Sequence, residues 1–135
     1  MNTRLPGALL AAVLTVQPAW AQGQQRGNPQ YPRELRGAWM LGDHPGCRAA
    51  DVPGNASDLL IGARQMRTLE ARHALLALRR TGARRWHARE RVADGVQPQS
   101  TVEFELQLSG DGRRLTRFTA SPGSASNTDH FTRCR

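Results

Sequence analysis

The alternation of apolar and polar residues at 101–108, TVEFELQL, is the feature that most constrains the fold. Val102, Phe104, Leu106 and Leu108 fall on one side of an extended chain, and the polar residues between them fall on the other. This period of two is typical of a strand with one buried face. The next residues, SGDG, favour a tight turn, and RRLTRFT follows them. The segment therefore predicts a β-hairpin with one face in a core.

Other segments also have strand character. Residues 84–92, RRWHARERV, alternate in the same way. The inward side of that strand would carry Trp86, Ala88, Glu90 and Val92. Further strand candidates are residues 35–41, 59–61 and 131–134. Residues 68–80, TLEARHALLALRR, are good helix formers with a poorly defined apolar face, so helix and strand both stay open there, and the neighbouring strands favour a strand.

These patterns predict an all-β fold, a small antiparallel barrel or sandwich of about six to eight strands. Residues 34–135 would form this single domain, which is a common size. Residues 22–33, QGQQRGNPQYPR, are polar with two prolines and two glycines, so they predict a flexible leader before the domain.

The first 21 residues have the order of a secretory signal peptide. Arg4 precedes an apolar run at 8–16, and the sequence AWA at 19–21 matches a signal peptidase site. The run is shorter than the about 20 apolar residues that a membrane span needs, and no later run is longer, so no transmembrane anchor is expected. We expect cleavage after Ala21 and a periplasmic or secreted bacterial protein.

The charge balance favours anionic partners. The formal net charge is +8, and removal of the signal peptide takes away only Arg4 and leaves +7. All basic residues other than histidine are arginine, which together with abundant alanine and glycine suggests a GC-rich bacterial genome. A positive protein attracts phosphates, lipopolysaccharide and acidic polymers. Nucleic acid is not expected as a partner, because the chain is predicted to be exported and has few aromatic residues to stack on bases.

A basic stripe is the first candidate site. The outward side of residues 84–92 would carry Arg85, His87, Arg89 and Arg91. Guanidinium groups pair bidentately with phosphate or carboxylate, so the stripe predicts an anion-binding surface. The alternative is a solvated outer sheet face, which is commonly charged.

The two cysteines of the chain, Cys47 and Cys134, form the second candidate. Exported proteins meet an oxidising compartment, where two cysteines usually form a disulfide. A zinc site made of His44, Cys47, His130 and Cys134 has suitable spacings but needs thiolates that escape oxidation. We therefore expect a disulfide, and neither a metal nor a cofactor.

The order of several short motifs resembles one group of proteins. LRGAW is followed by a cysteine, then LLIG, TLEAR, LQLSGDGRRL and the terminal TRCR. Over residues 35–135 this order is similar to that of small exported proteobacterial proteins of uncharacterised activity, with compact lipocalin-like barrels. The second cysteine pair of some members is missing here. The resemblance implies a fold and a compartment and implies no activity.

The chain lacks the motifs of the common hydrolases, phosphate-binding loops and dinucleotide sites, so we predict no enzyme and no catalytic residue. We expect a non-enzymatic binding module for an anionic or amphiphilic envelope ligand. The alternative is a protein-interaction module, such as an inhibitor of an envelope-targeting hydrolase, with the loop at 94–100, DGVQPQS, inserted into a cleft. An apolar cavity in the barrel would favour the ligand, and a filled core with a rigid protruding loop would favour the inhibitor. The oligomeric state stays open.

Overall fold

The structure is a computed structural model that describes residues 27–120, 123 and 125–135. These residues form a closed antiparallel barrel and contain no α-helix. The strands are β1 Gly37–Leu41, β2 Leu59–Ile61, β3 Gln65–Arg67, β4 Arg72–Gly82, β5 Arg85–Ala93, β6 Ser100–Leu108, β7 Arg114–Thr119 and β8 Asn127–Arg133. Each strand pairs with the next along the chain, and β8 closes the barrel on β1. The predicted all-β fold is confirmed, as an eight-stranded barrel. The predicted signal peptide lies outside the described residues.

The alternating segments form strands with the predicted faces. The hairpin of β6 and β7 buries Phe104, Leu106 and Leu108, and β5 buries Trp86, Ala88 and Glu90. Since inward residues recur at every second position, the period of two correctly assigned the buried side of both strands.

The segment at 68–80 is a strand from Arg72 onward. It pairs with β3 on one side and β5 on the other, so sheet pairing overrides its helix propensity. The pairing of β4 with β5 shifts register between Leu75 and Ala77. Because of this bulge, both Leu75 and Leu78 contact the interior, which explains the crowded apolar residues in the sequence.

Side chains fill the interior of the barrel. Every strand contributes at least one buried or nearly buried apolar residue, and examples in strand order are Trp39, Leu59, Met66, Leu75, Trp86, Phe104, Leu115 and Phe131. Eight strands enclose a space just wide enough for such side chains. The core is therefore the barrel interior itself.

The predicted boundary between leader and domain at residue 34 is wrong. Tyr31 and Leu35 are fully buried, and the Tyr31 amide donates a hydrogen bond to the Ala63 carbonyl at 2.8 Å. The Arg36 Nε atom donates to the Tyr31 carbonyl at 2.8 Å. The leader is mostly polar, which favoured the interpretation as a flexible segment, but the Tyr31 side chain has enough apolar surface to pack in the core. Packed structure thus begins before Tyr31, and residues 22–26 lie outside the described part.

The connections between strands lie at two ends of the barrel. The leader end contains residues 27–36 and the connections at 62–64, 83–84 and 109–113. The turn end contains the β3–β4 turn at 68–71, the β5–β6 loop at 94–99 and the two ends of the β1–β2 connection at 42–58. These two names are used below.

The predicted disulfide between Cys47 and Cys134 is present. The sulfur atoms are 2.00 Å apart, and the two residues are separated by 87 positions. The bond ties the loop after β1 to the end of β8, where the Arg135 amide also donates to the Cys47 carbonyl at 3.1 Å. A small second apolar cluster surrounds it, with Ala38 and Val52 buried.

The zinc alternative does not fit this arrangement. The sulfurs are bonded to each other, so neither can act as a thiolate ligand. His130 Nδ1 lies 3.2 Å from the Thr116 hydroxyl, and the His44 amide contacts the Thr132 hydroxyl at 3.2 Å. In the described part of the chain no three His, Cys, Asp or Glu residues are grouped as metal ligands would be.

Replacing both cysteines with serine should lower the free energy of unfolding by about 3 to 5 kcal/mol, because the bond restricts a long loop of the unfolded chain. Urea unfolding of the wild type and of C47S/C134S would measure the difference. Wild type kept in reductant should lose a similar amount. A loss below about 1 kcal/mol would show that the bond contributes little to stability.

Candidate functional site

The outward side of three consecutive strands, β3 to β5, is basic. We call it the basic face, and it consists of Arg67, Arg72, Arg79, Arg85, His87, Arg89 and Arg91. The four residues of the predicted stripe all lie on it. No outward residue of these three strands is acidic, because the only carboxylate in them, Glu90, faces the interior. The face is thus a continuous basic area on the barrel wall.

One border of the basic face is partly neutralised by β6. Glu103 lies 3.6 Å from His87 Nε2 and 3.9 Å from Arg89 Nε. Arg85 donates a hydrogen bond to the Gln107 side chain at 2.9 Å. Exposed pairs of this kind stabilise a protein by only about 0 to 1 kcal/mol, so they leave the arginines available to a ligand.

The rest of the basic face has uncompensated charge. Among the described residues, no carboxylate lies within ion-pair distance of Arg67, Arg72, Arg79 or Arg91. Arg67 stands directly opposite Arg72 in the β3–β4 pair, and Arg79 stands opposite His87. Like charges at opposite positions destabilise a sheet, so the fold gains nothing from the opposition of Arg67 and Arg72.

A groove of about 840 Å³ at the leader end also contains arginines, and three of them are already engaged. Arg114 pairs with Asp43 at 3.2 Å, and Arg84 donates to the Ser109 carbonyl at 3.0 Å. Arg133 donates to the carbonyl oxygens of Gly112 at 2.8 Å and Arg36 at 3.0 Å. These three side chains hold the β6–β7 hairpin and the leader in place, which leaves Arg113 and Arg135 as the groove arginines without an ion pair among the described residues.

The barrel interior holds a polar network that the sequence did not reveal. Glu90 is fully buried, and the Tyr31 hydroxyl donates a hydrogen bond to its Oε1 atom. His73 Nδ1 lies 2.9 Å from Glu90 Oε2 and donates to it, since a carboxylate only accepts. Both oxygens of the carboxyl group are therefore satisfied by side chains from the leader and from β4.

A second polar pair lies near this network. Arg117 on β7 donates to Asp129 Oδ2 on β8 at 2.8 Å, and its guanidinium lies 5.4 Å from the centre of the Phe131 ring. The two side chains of the pair are 19% and 18% exposed. The Arg117 Nε atom is buried and has no hydrogen-bond partner among the described residues.

Glu90 and His73 have the chemistry of a general acid–base pair, and their side chains are 0% and 13% exposed. The three grooves, of about 840, 610 and 440 Å³, are lined by neither residue. The network holds Tyr31, and through it the leader, inside the barrel.

Sequence signals for this network existed. The alternation placed Glu90 on the same side of its strand as Trp86 and Ala88, and a carboxylate on a buried side needs a partner. Tyr31 is the only tyrosine of the chain and lies in a polar segment. His73 could not be assigned to one face of its strand from the sequence, because the bulge in β4 interrupts the alternation of that strand.

Comparisons of the chain with protein-family models, with curated proteins and with solved structures found no match. No helix in the described ranges has the length and apolar character to cross a membrane.

Burial, the charge of Glu90 and the hydrogen bond to it raise the pKa of Tyr31 far above its ordinary value of 10.0, and Arg117 opposes part of this shift. Since the folded-state pKa is the higher one, this contribution to stability is complete below pH 10 and is lost as the pH rises above it. The near-ultraviolet absorbance of tyrosinate should therefore show no ionisation until the protein unfolds. The chain has one tyrosine, so the signal is unambiguous.

The matched variant is Tyr31→Phe. It leaves Glu90 without its hydroxyl donor and should cost about 1 to 3 kcal/mol at neutral pH. Its stability should then depend less on pH above 10 than that of the wild type. Reversible ionisation near pH 10.0 in folded wild type would contradict the buried position of Tyr31.

Proposed function

We propose that the protein is a non-enzymatic binding module for an anionic ligand of the bacterial envelope, and that the basic face is its binding surface. The observation that supports this most is the uncompensated charge on β3 to β5, where Arg67 opposes Arg72 and where Arg79 and Arg91 have no acidic partner among the described residues. An anionic ligand would relieve this repulsion. The envelope location follows from the predicted export.

The dimensions of the face favour a ligand with several anionic groups. Arg85 and Arg91 lie six positions apart on one strand, which corresponds to about 20 Å, and neighbouring strands are about 4.8 Å apart. One phosphate would meet one or two guanidinium groups over this area. A ligand with repeated phosphate, sulfate or carboxylate groups would contact many of them at once.

The filled interior argues against a ligand inside the barrel. Tyr31, Trp39 and Phe131 are among the largest fully buried side chains, and they occupy the space that an apolar ligand would need. Binding on the outer wall requires no such space. The expected amphiphilic ligand could therefore be recognised only from outside.

Binding to a protein cleft, as expected of a hydrolase inhibitor, is the second candidate. The filled core and the loop at 94–99 support it, because Val96 is 89% exposed and both its amide and the Gln97 amide donate to the Asp94 carboxylate at 2.9 Å. Val96→Gln should abolish such binding and leave retention on a polyanion resin unchanged.

Replacing Arg72, Arg79 and Arg91 with glutamine should weaken binding to heparin, a linear polyanion. The triple variant should elute from heparin resin at lower salt. The slope of log affinity against log salt should fall by about two to three, because each lost contact releases about one counterion fewer. These three arginines have no acidic partner among the described residues, so the change should leave the fold intact.

The control variant changes three arginines elsewhere, Arg33, Arg48 and Arg113, to glutamine. They are exposed and make no ion pair within the described part of the chain, and the net charge falls by the same amount. It should elute close to the wild type. Equal elution of the two triple variants would show that net charge alone, and no particular surface, governs retention.

A further inference from the structure

Two large apolar side chains are exposed in the described part of the chain, and both lie at the turn end. Leu69, in the β3–β4 turn, is 59% exposed, and Val96, in the β5–β6 loop, is 89% exposed. The two connections are neighbours, because Arg72 at the start of β4 stands opposite Ala93 at the end of β5. Residues of both connections line one groove of about 440 Å³, with Leu69 from the turn and Asp94 and Gly95 from the loop. Neither Leu69 nor Val96 contributes to the core.

Hydrogen bonds hold both connections in shape. In the β5–β6 loop the Asp94 carboxylate accepts from the amides of Val96 and Gln97, and these bonds lower the pKa of Asp94. In the β3–β4 turn the Thr68 amide donates to the Ala71 carbonyl at 3.0 Å, and the Thr68 hydroxyl accepts from the Ala71 amide at 3.1 Å. The apolar tips are therefore presented on pre-formed turns, which reduces the entropy lost on binding.

The basic face extends to these tips. Arg67 and Arg72 flank Leu69 in sequence and stand opposite each other in the sheet. Arg91 lies two residues before Ala93, the last residue of β5. Arginines beside protruding apolar side chains match an anionic lipid surface, where phosphate groups lie above an acyl region. A soluble polyanion offers partners for the arginines and none for Leu69 and Val96.

We propose, building on the anion-binding function above, that the ligand is an anionic lipid surface and that the turn end docks on it. Leu69 and Val96 enter the boundary between headgroups and acyl chains, and Arg67, Arg72 and Arg91 face the lipid phosphates.

Two acidic residues of the turn end act in different ways. The Asp94 carboxylate is turned towards the backbone amides of its own loop. Glu70 is exposed beside Leu69 and opposes an anionic surface. Its replacement by glutamine should therefore strengthen binding.

The test is co-sedimentation with vesicles of phosphatidylglycerol and phosphatidylcholine, compared with vesicles of phosphatidylcholine alone. The wild type should bind the anionic vesicles. The variant L69Q/V96Q should bind them about tenfold or more weakly, because both tips lose their apolar contact, and should elute from heparin resin as the wild type does. E70Q should bind the anionic vesicles more tightly than the wild type.

A fluorescence readout locates the contact. In the variant Val96→Trp, the fluorescence emission of the new tryptophan should shift to shorter wavelength when anionic vesicles are added. Ala83→Trp, at the leader end, is the control and should show no shift. Equal shifts in the two variants would overturn the proposed orientation.

The outcomes separate this proposal from the function on which it depends. If the wild type is retained on heparin through the basic face but ignores both kinds of vesicle, the anion-binding function holds, the lipid proposal fails, and a protein cleft becomes the partner of the tips. If L69Q/V96Q binds anionic vesicles as tightly as the wild type, or loses heparin retention as well, the lipid proposal also fails. If the wild type binds neither heparin nor vesicles, both proposals fail.

Discussion

The hydrogen bonds of Glu90 inside the barrel determine how the rest of the structure is arranged. A carboxyl group without partners in an apolar interior costs several kcal/mol, so its burial requires donors on both oxygens. His73 supplies one donor from β4, and Tyr31 supplies the other from the segment before β1. Tyr31 can reach Glu90 only if the leader lies across the end of the barrel. The packing of Leu35 and the contacts of Arg36 follow from that position.

This arrangement decides where a ligand can bind. A barrel of this size has little interior space, and Tyr31 takes a large share of it. For the binding function that we propose, recognition would therefore take place on the outer wall and at the connections. Outward side chains do not pack in the core, so the fold does not constrain which polar residues stand on the outer wall. Charges there are free to serve binding, and the Arg67–Arg72 opposition on β3 and β4 lowers stability without any gain in packing.

The sequence contained most of the fold and only part of the site. Period-two alternation assigned both faces of β5 and β6, and therefore the outward position of the Arg85–Arg91 stripe. The extension of the basic face to Arg67 and Arg72 was not foreseen, since it depends on the pairing of β3 with β4, and residues 68–80 allowed a helix as well. The Tyr31–Glu90 contact joins residues 59 positions apart, and no local pattern reports such a contact.

The two ends of the barrel differ in how strongly they are fixed, and this difference favours binding at one of them. At the leader end the Cys47–Cys134 bond holds the end of β8, and Arg133 lies 4.2 Å from the Trp39 ring and donates to backbone carbonyls of the leader and the β6–β7 hairpin. These contacts fix the leader end across several elements of the chain. The connections at 68–71 and 94–99 are held by local hydrogen bonds alone, which fix their shape and leave their side chains free. The barrel is closed by contacts at the leader end. Exposed apolar side chains and unpaired arginines at the turn end therefore destabilise the fold little. We expect the turn end to be the part of the protein that contacts an external surface.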